Sequence, residues 1–277
     1  MDYSKKILEF FNEEIVTIFK DTINTYCKNK RTPKYSIEYY LYNIVLVMKE
    51  TTSWKSLNKF YDFKPYHYKT INKIHLKWSK LNIYNIVYNK LLQKNILDKL
   101  KGSKNLTLFI DSTNIYNKNG SENVGFGANP KKKESKLSII CDEHKNVLSL
   151  TLVNTNKKIS NYTLPHDSKT TTTSVNDLLK NKFKCKKIFL IGDKGYILNE
   201  KNKQILFKKY KIEIVHPHRK NQKKKTSKKH KKLLKKRYVV ENVISKLKQC
   251  NRVCFRKDRL KSTYIGFCFL ALVTFLK

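Results

Sequence analysis

The chain has 277 residues, with 60 Lys and Arg against 21 Asp and Glu, for a formal charge of +39. Self-repulsion of that size excludes an ordinary solvated surface and calls for a polyanion or dense counterions to offset it. Nucleic acid is the leading partner, because each neutralised phosphate releases condensed counterion and so adds affinity. An acidic membrane is the rival. The apolar run Tyr264–Leu276 falls short of the roughly 20 residues a spanning helix needs, so it reads as a buried terminal helix and no membrane partner is expected. Met1–Lys20 mixes charges throughout, unlike a signal peptide. An intracellular protein is expected, in cytoplasm or nucleus according to the host. The six cysteines include no Cys-x-x-Cys pair and read as reduced thiols. Lys, Asn, Ile and Tyr are abundant, as in AT-rich genomes, so part of the charge reflects codon usage.

Two domains are expected, 1–100 and 101–277. The first reads as mostly helical: Ile7, Phe10, Phe11, Ile15, Ile18 and Phe19 recur at helical spacing, as do Tyr39, Tyr40, Ile44, Val45 and Val47. Thr51–Phe60 reads as a capped start and an amphipathic turn or two. Tyr61–His67, with Pro65, reads as a turn, and Tyr68–Leu81 as a helix through Ile71, Ile74, Leu76 and Trp78. Helix, short turn and basic helix outline a helix-turn-helix, with Lys69 and Lys73 on its second helix. An ordinary helical hairpin has the same pattern.

From 101 onward strands appear. Leu106–Ile110 is a short apolar run ending at Asp111, and Leu137–Cys141 and Val147–Val153 flank a turn. Ser174–Lys180 reads as a capped helix, Lys187–Ile191 as a buried strand ending at Gly192-Asp193, Leu198–Lys209 as a helix and Lys211–Val215 as a strand. His218–Lys236 is dense in lysine; it reads either as a solvated run or as a track for phosphates. His216-Pro217-His218 lacks a third metal ligand and reads as a strand end. A meander followed by alternating strands and helices predicts a mixed α/β domain.

Asp111 and Asp193 each follow a continuous apolar run, the mark of central, adjacent strands. Glu241 lies on a helix whose apolar stripe is Val240, Val243, Ile244 and Leu247, with Arg237 and Lys248 within about 40° of it around the axis. Three such carboxylates would make an oxygen cluster suited to Mg²⁺ or Mn²⁺. Two such ions activate a water or 3′-hydroxyl and stabilise a leaving phosphodiester oxygen. Taken singly, each Asp is equally well a turn or helix cap, and Glu241 an ion-pair partner for Arg237.

The order of these segments resembles the DDE transposases of bacterial insertion sequences, the insertion sequence 4 and 5 superfamily. Phe109-Ile110-Asp111-Ser112-Thr113 is similar to the block of the first catalytic Asp, and Ile191-Gly192-Asp193-Lys194-Gly195-Tyr196 to that of the second. Gly127-Ala128-Asn129-Pro130 with Lys136-Leu137-Ser138, and Pro165-His166-Asp167, resemble intervening elements. Arg237, Glu241 and Lys248 match the third signature, with Leu234 where many members carry Tyr. Asp258 and Ile265-Gly266-Phe267 resemble the family's tail, so the likeness spans 105–277. It implies a ribonuclease H-like mixed sheet flanked by helices after a helical helix-turn-helix-type domain. It further implies that Asp111, Asp193 and Glu241 bind two Mg²⁺ (or Mn²⁺) ions, cut double-stranded DNA at transposon ends and direct 3′-hydroxyl attack on target DNA. Arg237 and Lys248, with Lys194, Lys136, Lys69 and Lys73, are the candidate DNA contacts. Paired ends imply a homodimer. The competing functions are a non-catalytic DNA-binding protein of transposase descent and a ribosomal or RNA-packaging basic protein; the latter requires the carboxylates to lie far apart.

Overall fold

The computed structural model describes residues 2–27, 35–50, 53–60, 68–94, 105–126, 132–153, 164–181, 186–217 and 227–276. The expected turn at 61–67, the 127–130 block and the stretch 218–226 lie outside the described residues.

Among the described residues seven strands form one sheet: β1 (Asn105–Asn117), β2 (Gly125–Phe126), β3 (Lys133–Asp142), β4 (Val147–Leu152), β5 (Lys187–Ile191), β6 (Ile212–Val215) and β7 (Phe255–Arg256). The order is β2-β3-β1-β5-β6, with β4 also on β3 and β7 on β1. β1, β5 and β6 run parallel, and β3 pairs antiparallel with β2 and β4. The continuous apolar runs end up where such runs must. Leu108, Phe109 and Ile110 in β1 and Leu190 and Ile191 in β5 are fully buried, as expected of strands covered on both faces.

Two boundaries differ from the sequence expectation. β1 does not stop at Asp111: the polar residues beyond it keep a period of two, with Ile115 and Asn117 buried and Asn114 and Tyr116 exposed, so the ladder continues after the apolar run ends. Asp111 is therefore mid-strand. The expected helix at Ser174–Lys180 begins earlier, as Asp167–Leu178. Its buried face is hydroxylic: Thr170 and Thr171 donate to the Asp167 carbonyl, and Ser174 to Ser138 Oγ. Polar residues can fill a helix face when each hydroxyl finds an acceptor, a pattern that hydrophobic periodicity does not reveal.

The chain divides into two compact units that interleave in sequence: Met1–Gln93, Ile115–Glu122 and Leu247–Lys277 form one, Lys94–Asn114 and Asn123–Lys246 the other. The first is built on helices α1 (Glu13–Tyr26), α2 (Ile37–Lys49), α3 (Tyr68–Lys80) and α4 (Ile83–Leu92), with the terminal helix Lys261–Thr274 packed among α2, α3 and α4. Asn12 and Ser36 cap α1 and α2 by accepting from Ile15 N–H and Tyr39 N–H, each cap contributing about 1 kcal/mol. Trp54–Phe60 is a 3₁₀ segment. Among the described residues no helix is long and apolar enough to cross a membrane.

The second unit holds most of the sheet with helices α5 (Asp167–Leu178), α6 (Glu200–Tyr210) and α7 (Lys228–Lys235), and α8 (Tyr238–Lys248) begins in it.

Candidate active site

β1 and β5 pair in parallel with Phe109 opposite Ile191. Asp111 stands two residues further along β1 and Asp193 two residues past the end of β5, and Asp193 is near enough to raise the Asp111 pKa. The carboxylates do not lie far apart, as a ribosomal or RNA-packaging protein would have required. Asp111 is fixed by its own neighbour: Ser112 N–H donates to its Oδ1 at 2.8 Å. Asp193 caps the short 3₁₀ turn that follows it, accepting from Gly195 N–H at 2.7 Å.

Glu241 reaches this pair through Arg237. The helical run is interrupted between α7 and α8, and Arg237 stands in that turn, one residue before α8 starts. Its guanidinium donates to Glu241 Oε1 at 2.5 Å and lies 3.9 Å from Asp193 Oδ2. The same cation pulls down the Asp111 pKa. One side chain is therefore the common neighbour of all three acids.

Around this triad sits a fourth carboxylate. Asp167 accepts from Ser112 Oγ and pairs with Lys136 Nζ at 2.8 Å. A side chain on Gly195 would bring its Cβ to 2.8 Å from Asp167 Oδ2 and 2.9 Å from Asp193 Oδ1, so glycine is what lets these two acids approach the same turn. Tyr196 is fully buried, and its ring packs so closely on Gly192 that a Cβ there would lie 2.8 Å from it.

Burial raises the Asp111 carboxyl above the usual carboxylate range; the Ser112 N–H and Arg237 oppose this, and the like charges of Asp193 and Asp167 add to it. Burial likewise pushes the Tyr196 hydroxyl up, helped by Asp167, Asp111 and Asp193. Asp111 thus sits where added positive charge would be strongly stabilised.

The other candidates separate into groups. Lys136, expected as a DNA contact, is buried and committed to Asp167 and, at 2.9 Å, to the Pro165 carbonyl. An inward-facing ammonium with two oxygen partners is spent before any phosphate arrives. Lys194 is exposed beside Asp193, and Lys248 is half-buried at the end of α8, about 10.5 Å along the axis from Glu241. Lys69 and Lys73 lie on the exposed face of α3 in the first unit. Ser112 and Gly195 carry positions that motif reading did not single out. Their sequence signal is membership of the blocks that hold Asp111 and Asp193.

Among the described residues no three His, Cys, Asp or Glu side chains form a cluster able to enclose a metal ion. The donor chemistry nonetheless fits a hard divalent cation, since the triad offers carboxylate oxygens alone and Asp111 is destabilised as an anion.

A sequence profile described as the transposase DDE domain matches residues 102–274. No curated protein matches the chain by sequence. Among solved structures, a piggyBac transposase synaptic complex with hairpin DNA is similar at TM-score 0.50 and 13% identity, over 99% of this chain and 74% of that one. The Drosophila P element transposase strand transfer complex aligns at TM-score 0.30 and 13% identity, over 74% of this chain and 46% of that one. The first likeness shows the ribonuclease H-like fold, a mixed sheet flanked by helices. The profile spans well over half the sequence, and on it the chain belongs to the transposase DDE-domain family and functions as a transposase.

Proposed function

We propose that this transposase binds the terminal inverted repeats of its own element, cuts there and joins the freed 3′-hydroxyl to target DNA, with Asp111, Asp193 and Glu241 as its catalytic carboxylates. The observation that supports the reading is the parallel β1–β5 register that leads into Asp111 and Asp193, with Arg237 paired to Glu241 and 3.9 Å from Asp193. Enzymes of this family generally work with divalent metal ions; the finer proposal is that the three acids hold two Mg²⁺ or Mn²⁺ ions. When bound, such ions activate the attacking oxygen and stabilise the leaving one.

The chain's own residues supply the orientation. Ser112 N–H fixes one Asp111 oxygen, and its hydroxyl ties that strand to Asp167. Lys136 neutralises Asp167 and thereby limits repulsion against Asp111. Arg237 keeps Asp193 and Glu241 together and offers a cation to the scissile phosphate. Lys194, Lys248, Lys69 and Lys73 contact DNA phosphates, and synapsis of two ends uses a homodimer.

The test uses duplex DNA carrying the inverted repeats that flank the reading frame. Wild-type protein with Mg²⁺ nicks this duplex. Asp111→Asn, Asp193→Asn and Glu241→Gln each lower nicking by about 10²-fold or more, equivalent to about 2.7 kcal/mol of transition-state stabilisation. Retained activity in all three sinks the assignment. Binding without nicking by the wild type favours a non-catalytic DNA-binding protein.

A further inference from the structure

The first compact unit contains a cleft of about 580 Å³ that the carboxylate site does not use. Among the described residues its wall carries, besides the buried Arg252, four cations from three segments: Lys55, Lys118, and the pair Lys257 and Arg259. Lys55, Lys118 and Arg259 are exposed and Lys257 is half-buried. Among the described residues none of the four lies within ion-pair distance of a carboxylate. The one acid in the wall, Asp258, is 8% exposed and turned toward Arg252 at 3.7 Å.

The segments that carry Lys118, Lys257 and Arg259 are tied together by hydrogen bonds. Lys118 N–H donates to the Arg256 carbonyl at 3.0 Å, and Ser121 N–H to the Arg259 carbonyl at 3.1 Å. The fully buried Arg256 donates to the Glu122 carbonyl at 2.6 Å and the Arg259 carbonyl at 3.2 Å. The segments 118–122 and 256–259 are thereby stapled together, which preorganises the positive edge. Burial, together with Arg252 and Lys118, lowers the Lys257 pKa, the mark of a crowded set of cations that an anion would relieve. Trp54 forms part of the wall beneath the Arg252 guanidinium, 5.5 Å from its ring centre.

We infer that this cleft is a second phosphodiester site, made of residues other than those at the carboxylates, that grips the backbone of duplex DNA. The inference rests on the reading that DNA is this chain's partner. Four neighbouring cations, three of them on stapled segments and none ion-paired among the described residues, suit a backbone of successive, singly charged phosphates.

The full-length protein is titrated with a mixed-sequence duplex of about 30 base pairs at several salt concentrations, following affinity and tryptophan emission. Trp54 lies in the cleft, whereas Trp78 is 3% exposed in the core. Duplex binding is therefore expected to quench emission, and Trp54→Phe to abolish the quench while binding persists. Lys118→Gln, Lys257→Gln and Arg259→Gln together are expected to lower the slope of log K against log salt by about 2.7, or about 0.9 for each phosphate no longer neutralised. The same charge removed from the exposed α6 face, by Lys201→Gln, Lys208→Gln and Lys209→Gln, is expected to change it less. Equal decreases in both triple variants, or an unchanged slope in the cleft variant, overturn the cleft as a site. A quench that survives in Trp54→Phe does the same. Should the triple variant fail to melt cooperatively, Lys118→Gln and Arg259→Gln singly, each expected to lower the slope by about 0.9, replace it. Failure of the wild type to bind any duplex removes the DNA reading as well, which the nicking assay examines independently.

Discussion

Asp167 is where the candidate site is most exposed to single changes. It accepts from Ser112 Oγ on β1 and pairs with Lys136 Nζ on β3, so it ties the Asp111 strand to its neighbours. Removing the buried cation leaves an uncompensated carboxylate beside Asp111, whose own charge burial already opposes. Lys136→Met is therefore expected to cost about 2 kcal/mol of stability and to reduce nicking more than duplex binding. Lys136→Arg, which keeps the charge, is expected to recover most of both. Equilibrium denaturation and the nicking assay on the same preparations decide the matter; a weakened duplex affinity with unchanged stability would return Lys136 to the DNA surface. At this scale Asp111, Asp193 and Glu241 were legible because each borders an apolar run or stripe. Arg237 as the shared neighbour of all three was not, because it stands in the turn between α7 and α8 and meets Asp193 only through the tertiary fold. The inward turn of Lys136 was not legible either, because a lysine just after the run Lys131–Lys133 looks like surface until a carboxylate from another element, Asp167, claims it.

Among the elements, the terminal helix Lys261–Thr274 is the keystone of the first unit. Gly266 lets it approach α3 and α4: an added Cβ would fall 2.5 Å from Ser79 Oγ and 3.1 Å from Tyr84 Cδ2. Both neighbours are themselves buried, so neither yields cheaply. Gly266→Ala is expected to destabilise by about 1–3 kcal/mol through overpacking, read as a lower denaturation midpoint at unchanged slope. His75 is packed in the same place, stacked on Phe267 at 4.0 Å, with Nδ1 2.9 Å from the Tyr84 hydroxyl and Nε2 3.2 Å from the Thr263 carbonyl. A carbonyl only accepts, so Nε2 carries the proton and Nδ1 accepts from Tyr84. Burial, then Arg252, depress its pKa to about 3 from 6.5. The unfolded chain binds this proton first on acidification, so the contribution of neutral His75 is complete above about pH 6.5 and is lost as pH falls toward about 3. A denaturation series over that range is expected to flatten in His75→Phe, and identical pH profiles for variant and wild type would refute the assignment. Element existence was readable where an apolar run or helical periodicity was strong, as in β5 and α3 respectively. The extension of β1 past Asp111 and the early start of α5 were not, since both rest on polar residues satisfied by tertiary partners.

For the whole molecule the governing quantity is the charge of +39. Every added lysine repels the rest, and the folded chain concentrates them more than the unfolded one. Stability should therefore be limited by electrostatics to a degree unusual for a chain of this length. Raising salt shortens the Debye length from about 30 Å at 0.01 M to about 10 Å at 0.1 M, and the melting temperature is expected to climb across that range. Duplex DNA acts by a second route, because a ligand of the native state at 100 times its dissociation constant adds about 2.7 kcal/mol. For a chain of this size that corresponds to a rise of about 5–10 °C. The two effects compete: screening weakens phosphate contacts, so the duplex increment is expected to shrink as salt rises while the baseline melting temperature grows. A neutral polymer of equal mass should produce neither change. Melting that ignores both salt and duplex would mean that the positive charge is already neutralised within the fold. The great excess of basic over acidic side chains makes that outcome hard to reconcile with the sequence.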